Sequence, residues 1–454
     1  MHNHYSGHNR TSHTVDMTTG PIPGILLRFC IPLILGNLFQ VFYNTVDAMV
    51  VGNFIGKEAL AAVASTGPLV NIAVFTFNGI AVGAGIVIGQ FFGAHDMEQM
   101  HRSVETTMTM AFLCSILFTA AGVLLTPAML RLVSTPDDVI GPATTYLQIY
   151  FAGITGLLTY NMGSGILRAV GDTRRPLYFL IISSLVNIVL DLVFVIVFHM
   201  GIAGAAYATI IAQFLSALMI LYLLTFTEEV YRLTWKDLGI NTPILKKVLA
   251  VGLPAGFQSM ITSFSNNFLQ AYINTFGSTV MAGWGCYTKI NQVFMLPIQS
   301  MGHTAASFVS QNIGAGNEER ANRGTLDGIL GISAFVVAMG ILVIAAAPRI
   351  VSIFTTNRDV ISFGVMFIRM NIGFYIINGI NHTLAGSMRG RGNARAPMLI
   401  MLICFVGVRQ VYLFIIYRLT HSPALIGFGY PVGWMSCCVM ELIYYKWKYG
   451  TKRL

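Results

Sequence analysis

"IGQFFGAHDMEQMHRSV" (residues 88–104) and "VSQNIGAGNEERANRGT" (309–325) are two versions of one text. Gln90, Gly93, Ala94, Glu98 and Arg102 meet Gln311, Gly314, Ala315, Glu319 and Arg323 at an offset of 221 residues. The offset recurs. "GSGILRAVGDTRRP" (163–176) meets "LAGSMRGRGNARAP" (384–397), placing Gly165, Arg168, Gly171, Arg174 and Pro176 over Gly386, Arg389, Gly392, Arg395 and Pro397. "TPDDVI" (135–140) meets "TNRDVI" (356–361). Three ungapped matches at one offset mark an internal duplication.

Between the matches the chain is apolar. It is 55% hydrophobic and 10% charged, where soluble domains carry about 25% charged residues. Twelve stretches are long enough to cross a bilayer as helices: 24–55, 60–91, 104–130, 138–167, 177–199, 201–226, 243–275, 281–313, 325–348, 359–388, 397–419 and 424–446. Six fall in each copy, an even number, so both copies insert the same way. The expectation is an all-α integral membrane protein of two pseudo-symmetric six-helix bundles related by an axis along the membrane normal. The divisions are a disordered tail (1–20), a first lobe (21–226), a linker (227–247), a second lobe (248–446) and a basic tail (447–454).

A net charge of +9 raises the question of nucleic acid, and its distribution answers it. With the N-terminus cytoplasmic, the inner segments hold nineteen Lys and Arg residues and the outer ones five. That asymmetry is the positive-inside signature of a multi-pass protein of the cell (inner) membrane with both termini cytoplasmic. The six cysteines sit in apolar spans and read as small buried side chains. His2, His4, His8 and His13 read as tail rather than metal site. Arg168, Arg174, Arg389 and Arg395 read as anchors at the inner surface, and Gly171 and Gly392 as positive-φ turn residues. Gly79, Gly83, Gly85 and Gly89 read as a close-packing face. There is no HExxH, no P-loop and no persuasive catalytic constellation, so an enzyme is not expected.

Two acids break the pattern. Asp47 and Asp191, the latter in "NIVLDLVF" (187–194), lie well inside spans. A carboxylate at a helix centre costs roughly 2.5–3.5 kcal/mol to insert, and such residues are functional by default. Both sit about 12 Å below the outer surface at 1.5 Å per residue. Thr209 falls at a similar depth, and Asn187 lies one turn from Asp191 on the same face. The set Asp47, Asn187, Asp191 and Thr209 offers only oxygen-rich groups and suits a shared proton or a hard cation such as Na⁺. The second copy has lost it: Phe268, Val408, Tyr412 and Tyr430 occupy the matching places, with Lys289, Arg369 and Arg409 inside the spans instead. Gln40, Tyr43, Asn44, Asn161, Gln213, Gln258, Asn267, Lys289 and Asn378 are the polar residues expected to line a substrate cavity. For Lys289 and Arg409, neutralisation by polar neighbours stays open beside that reading.

These residues resemble the multidrug and toxic compound extrusion (MATE) transporters over essentially the whole chain. The features that carry the resemblance are "PLILGNLFQVFYNTVDAMVVGNFIGKEALAA", "ILRAVGDTRRP", "NIVLDLVF", "GIAGAAYATIIAQ" and "GLPAGFQS". The resemblance implies an antiporter that expels cationic or amphipathic small molecules by alternating access, with H⁺ or Na⁺ as coupling ion and no other cofactor. Its DinF-like branch places the ion site at positions matching Asp47, Asn187, Asp191 and Thr209, and cavity residues at Gln40 and Asn161. The NorM-like branch has acids where this chain holds Thr262 and Asn378, which favours the DinF-like branch. The expected protein is a monomer in the lipid bilayer. The rival reading is a lipid-linked oligosaccharide flippase of related architecture, which wants a cationic cavity. A passive channel would show flux without coupling.

Overall fold

A computed structural model describes residues 15–133 and 135–450; the tail histidines lie outside them. The regular structure of the described residues is helical. The first lobe holds α1 (Ile22–Val50), α2 (Lys57–Gly93), α3 (Met97–Leu132), α4 (Asp137–Ala152), α5 (Ile154–Ala169), α6 (Arg174–Leu192) and α7 (Gly201–Phe226). The second holds α8 (Thr242–Asn274), α9 (Ser278–Gly314), α10 (Glu318–Ser352), α11 (Arg358–Asn371), α12 (Tyr375–Gly390), α13 (Arg395–Met401), α14 (Arg409–Leu419), α15 (Pro423–Gly427) and α16 (Gly429–Tyr449).

Among the described residues, ten helical spans are long and apolar enough to cross a membrane. The other two of the expected twelve are present in altered form. The fourth is broken into α4 and α5 at Gly153, where a Cβ would strike the Ile210 side chain of α7. The eighth, α9, is 37 residues long but carries Lys289, Asn291, Gln292, Gln299 and His303. The repeat reaches into the backbone. A 3₁₀ turn (Ile372–Phe374) between α11 and α12 sits 221 residues after the Gly153 break. The opening motif is in both copies a helix end, a positive-φ residue and a cap. After α2, His95 (φ 54°) precedes Asp96, whose carboxylate accepts from Gln99 N; after α9, Gly316 (φ 74°) precedes Asn317, which accepts from Arg320 N. Such caps satisfy amide groups that the first turn leaves free. Gly171 (φ 86°) and Gly392 (φ 80°) are the positive-φ turns expected of them.

The lobes meet along α2, α8 and α9. Gly79 lies so close to Gly256 that a Cβ would collide with its backbone. Gly93 approaches the Gln311 carbonyl, and Gly314 approaches the Gln90 carbonyl, each leaving no room for a Cβ. Gln90 Nε2 donates to the Gly390 carbonyl (3.0 Å) and Gln311 Nε2 to the Ala169 carbonyl (2.7 Å). These are one bond made twice, since both donors and both acceptors are 221 residues apart.

One helix does not respect the expected division at residues 21–226. The first half of α1 packs on the second lobe, with Met17, Leu26 and Phe29 against Phe308, Val309 and Ala321. Its last residues pack with Val195 and Ala205 of the first lobe. The two ends of the described chain lie on one face: Arg320 donates to the Met17, Thr19 and Gly20 carbonyls, and Tyr445 donates to Asn322 on the same helix. The seam lies in the half of the molecule nearest that face. Beyond it, α9 presents an exposed stripe of Lys289, Gln292, Gln299 and His303. Four polar side chains exposed on one face of an inter-lobe helix mark the wall of a watery cleft, because hydrocarbon would not tolerate them. The close inter-lobe approaches of Gly93, Gly314, Gln90 and Gln311 all lie on the termini side.

Candidate functional site

Asp47 lies in the last turn of α1 and Asp191 in the last turn of α6. Each is followed within a turn by a π-helical stretch, Val51–Ile55 and Val193–Val197. A π turn interrupts the regular bonding ladder and recurs at functional sites. The two stretches pack together through Val51, Ile55, Val195 and Ile196, which brings the preceding acids face to face.

Asp191 is fully buried, and no donor reaches either carboxylate oxygen. Asp47 is half-buried, with Oδ1 likewise without a donor. The two carboxyl groups interact directly. Asn187, one turn earlier on α6, is buried with neither amide atom bonded. Each buried polar group left without a partner costs about 1–3 kcal/mol. Several such groups meet at this one place. Thr209 is half-buried on α7 and donates to its own helix at the Ala205 carbonyl (3.0 Å); no hydrogen bond joins it to either acid among the described residues.

The sequence reading missed the tyrosines of α4. Tyr146 lies within electrostatic range of both Asp47 and Asp191, and it stacks on Tyr150 with ring centroids 6.4 Å apart. Tyr150 reaches Gln213 and Tyr43 reaches Gln40, with Tyr150 and Asp47 within electrostatic range of Tyr43. Tyr160 continues the strip towards Ser164 and Arg168 and donates to the Pro176 carbonyl (2.9 Å). The signal was available as Tyr146 and Tyr150 at i and i+4 on one helix face. Of the expected cavity residues in this lobe, Gln40 and Asn44 are exposed, and Tyr43, Asn161 and Gln213 are half-buried.

In the second lobe some expectations need correction. Gln258 is buried and accepts from Arg389 Nη1 (2.6 Å); Asn378 is buried and directs its amide at Met295 Sδ (3.1 Å). Both are taken up in the lobe's own packing rather than standing on an open wall, because enclosed polar groups must find partners inside the protein. Lys289 and Asn267 are exposed, and Lys289 belongs to the polar stripe of α9. Arg409 is neutralised: both terminal nitrogens donate to Asn266 Oδ1 (3.1 Å each), and the guanidinium lies over the Phe405 and Tyr430 rings. Arg168 and Arg389 are not inner-surface anchors. Arg168 lines a recess between the lobes, and Arg389 reaches inward to Gln258.

Comparison with known proteins agrees with this architecture. The MatE family model matches twice, at residues 32–193 and 254–415, one match in each copy of the repeat. The chain is similar to the probable multidrug resistance protein YpnP of Bacillus subtilis, 29% identical over 95% of this chain and 96% of that one. It is also similar to the probable multidrug resistance protein YoeA of the same organism, 28% identical over 94% of each chain. A solved outward-facing conformation of a multidrug resistance MATE transporter superposes with a TM-score of 0.90 at 22% identity, covering 97% of this chain and 99% of that one. With a twofold match spanning both lobes, the chain belongs to the MatE family of membrane transporters.

Proposed function

We propose that this transporter is a secondary active multidrug exporter, moving amphipathic and cationic organic compounds outward in exchange for H⁺ or Na⁺. The observation that carries the reading is the Asp47–Asp191 pair. It is set at the π-helical ends of α1 and α6, and the protein supplies no donor to its oxygens. Asn187 beside it, and Thr209 at the same depth, complete an ion site of the DinF-like kind. The names of YpnP and YoeA support export of drug-like solutes. The positive-inside charge pattern supports cytoplasmic termini in the cell membrane, with the seam on the cytoplasmic side. Both lobes and the seam belong to one chain, which supports a working monomer. The coupling ion is the one small partner required beyond substrate.

Coupling follows from position. The acids sit on two helices that frame the first-lobe wall, and the Tyr146–Tyr150–Tyr43 strip runs from them to Gln40 and Gln213. An ion drawing Asp47 and Asp191 together reshapes that wall and weakens its hold on substrate. By linkage, substrate then weakens ion binding by the same factor. The enclosure of Arg409 by Asn266 removes one of the two cations on which the flippase reading leaned. The test is Asp47→Asn and Asp191→Asn in proteoliposomes. Each should abolish gradient-driven dye export while the protein still elutes as a folded species; driven export at the wild-type rate would refute the site.

A further inference from the structure

Arg168 and Arg389 occupy the same place in the two copies of the repeat, and both lie close to His303 of α9. The charge around the two is not the same. Arg389 donates to Gln258 and lies near Glu441, a fully buried carboxylate of α16. The residue 221 positions before Glu441 is Ile220, so the first lobe has no counterpart acid. Arg168 makes no hydrogen bond or ion pair among the described residues; the Tyr160 phenol lies within electrostatic range of it. Arg168 and the exposed His303 line one recess between the lobes, together with Ala81, Gly85 and Gly165.

A guanidinium drawn out of water without an anion is costly, and proteins compensate it with a carboxylate or place it where a ligand does so. The second lobe supplies a partner from the protein, Gln258 Oε1 at 2.6 Å from Arg389 Nη1. We infer that the first lobe leaves that part to a ligand: the recess of Arg168 and His303 binds an anionic group, a carboxylate or a phosphate, carried by an amphipathic solute in the cleft. The planar fork of an arginine suits either group, by two parallel hydrogen bonds. His303, lining the same recess from α9, offers a ring N–H donor. The cleft then has two poles, the acids of α1 and α6 and the basic recess. The solutes it takes best carry both a cationic amphipathic body and an anion. This rests on the exporter reading and specifies its substrate class.

The experiment uses two xanthene dyes of the same shape, rhodamine B with its free carboxylate and the ethyl ester of rhodamine B without it. Binding to the purified full-length protein is followed by fluorescence polarisation for wild type, Arg168→Gln and Arg168→Lys. The acid dye should bind wild type about tenfold or more tighter than the ester, as expected for a charge-assisted bidentate contact. Arg168→Gln should remove that preference with little change in ester affinity, and Arg168→Lys should keep part of it. Equal affinity of wild type for acid and ester overturns the inference, whatever the folding of the variants. So does an Arg168→Gln variant that weakens both dyes equally. Gradient-driven export of the ester is measured in parallel. Export without discrimination sinks the anion site and leaves the exporter standing; neither binding nor export of either dye sinks both.

Discussion

At the scale of single residues, the first lobe carries two carboxylates whose buried oxygens meet no donor, and the second carries an arginine held at its terminal nitrogens by Asn266. In the proposed site the acids act as one unit. Asp47→Asn and Asp191→Asn should each cost nearly all driven export, and the double variant no more than either alone, as for groups that share one task; initial rates of dye export measure it. Arg409 shows the opposite behaviour. Asn266→Leu leaves a buried guanidinium without its acceptor and should destabilise the protein by about 1.5–3 kcal/mol, read as a lowered midpoint of unfolding in detergent. Asp47, Asn187 and Asp191 were legible in the sequence because a carboxylate or amide inside an apolar run has few bland explanations. Tyr146 and Arg168 were not. A tyrosine inside a span passes for packing, and an arginine at a span end passes for an anchor, until the partner helices are in place. Gln258 and Asn378 misled for the same reason in reverse, since a polar residue in a span gives no sign of whether its partner is protein or substrate.

At the scale of elements, hydropathy revealed where helices run, and the repeat revealed how they pair. What it left out are the irregularities that place the site. The π turns after Asp47 and Asp191 and the break at Gly153 fall inside runs whose apolar pattern is the same whether the helix is regular or not. Glycine on α2 was legible as a packing face; its partners were not, because they come from the other copy. Gly93→Ala and Gly314→Ala insert a methyl against the Gln311 and Gln90 carbonyls. Each should cost about 1–3 kcal/mol by overpacking, and the two costs should match, since the surroundings are repeat-equivalent; thermal unfolding of the two variants side by side is the check.

At the scale of the whole molecule, the duplication supplies the hinge as well as the lobes. The Gln90 and Gln311 bonds cross the seam symmetrically and hold the lobes together on the termini side. Each is worth about 1 kcal/mol net. Removing both in Gln90→Ala/Gln311→Ala should shift the balance between the two openings by roughly thirtyfold towards the opposite state. Spin labels on the α1–α2 and α8–α9 connections would report the distance change across the mouth. The central claim is that the acids of one lobe harness an ion gradient to empty that cleft. The most direct test uses proteoliposomes loaded with a fluorescent cationic dye, under a pH gradient alone and then a Na⁺ gradient alone, for wild type and Asp191→Asn. Export driven by one gradient and lost in the variant is the predicted result, and it names the ion. Dye movement indifferent to both gradients and to the substitution would contradict the account.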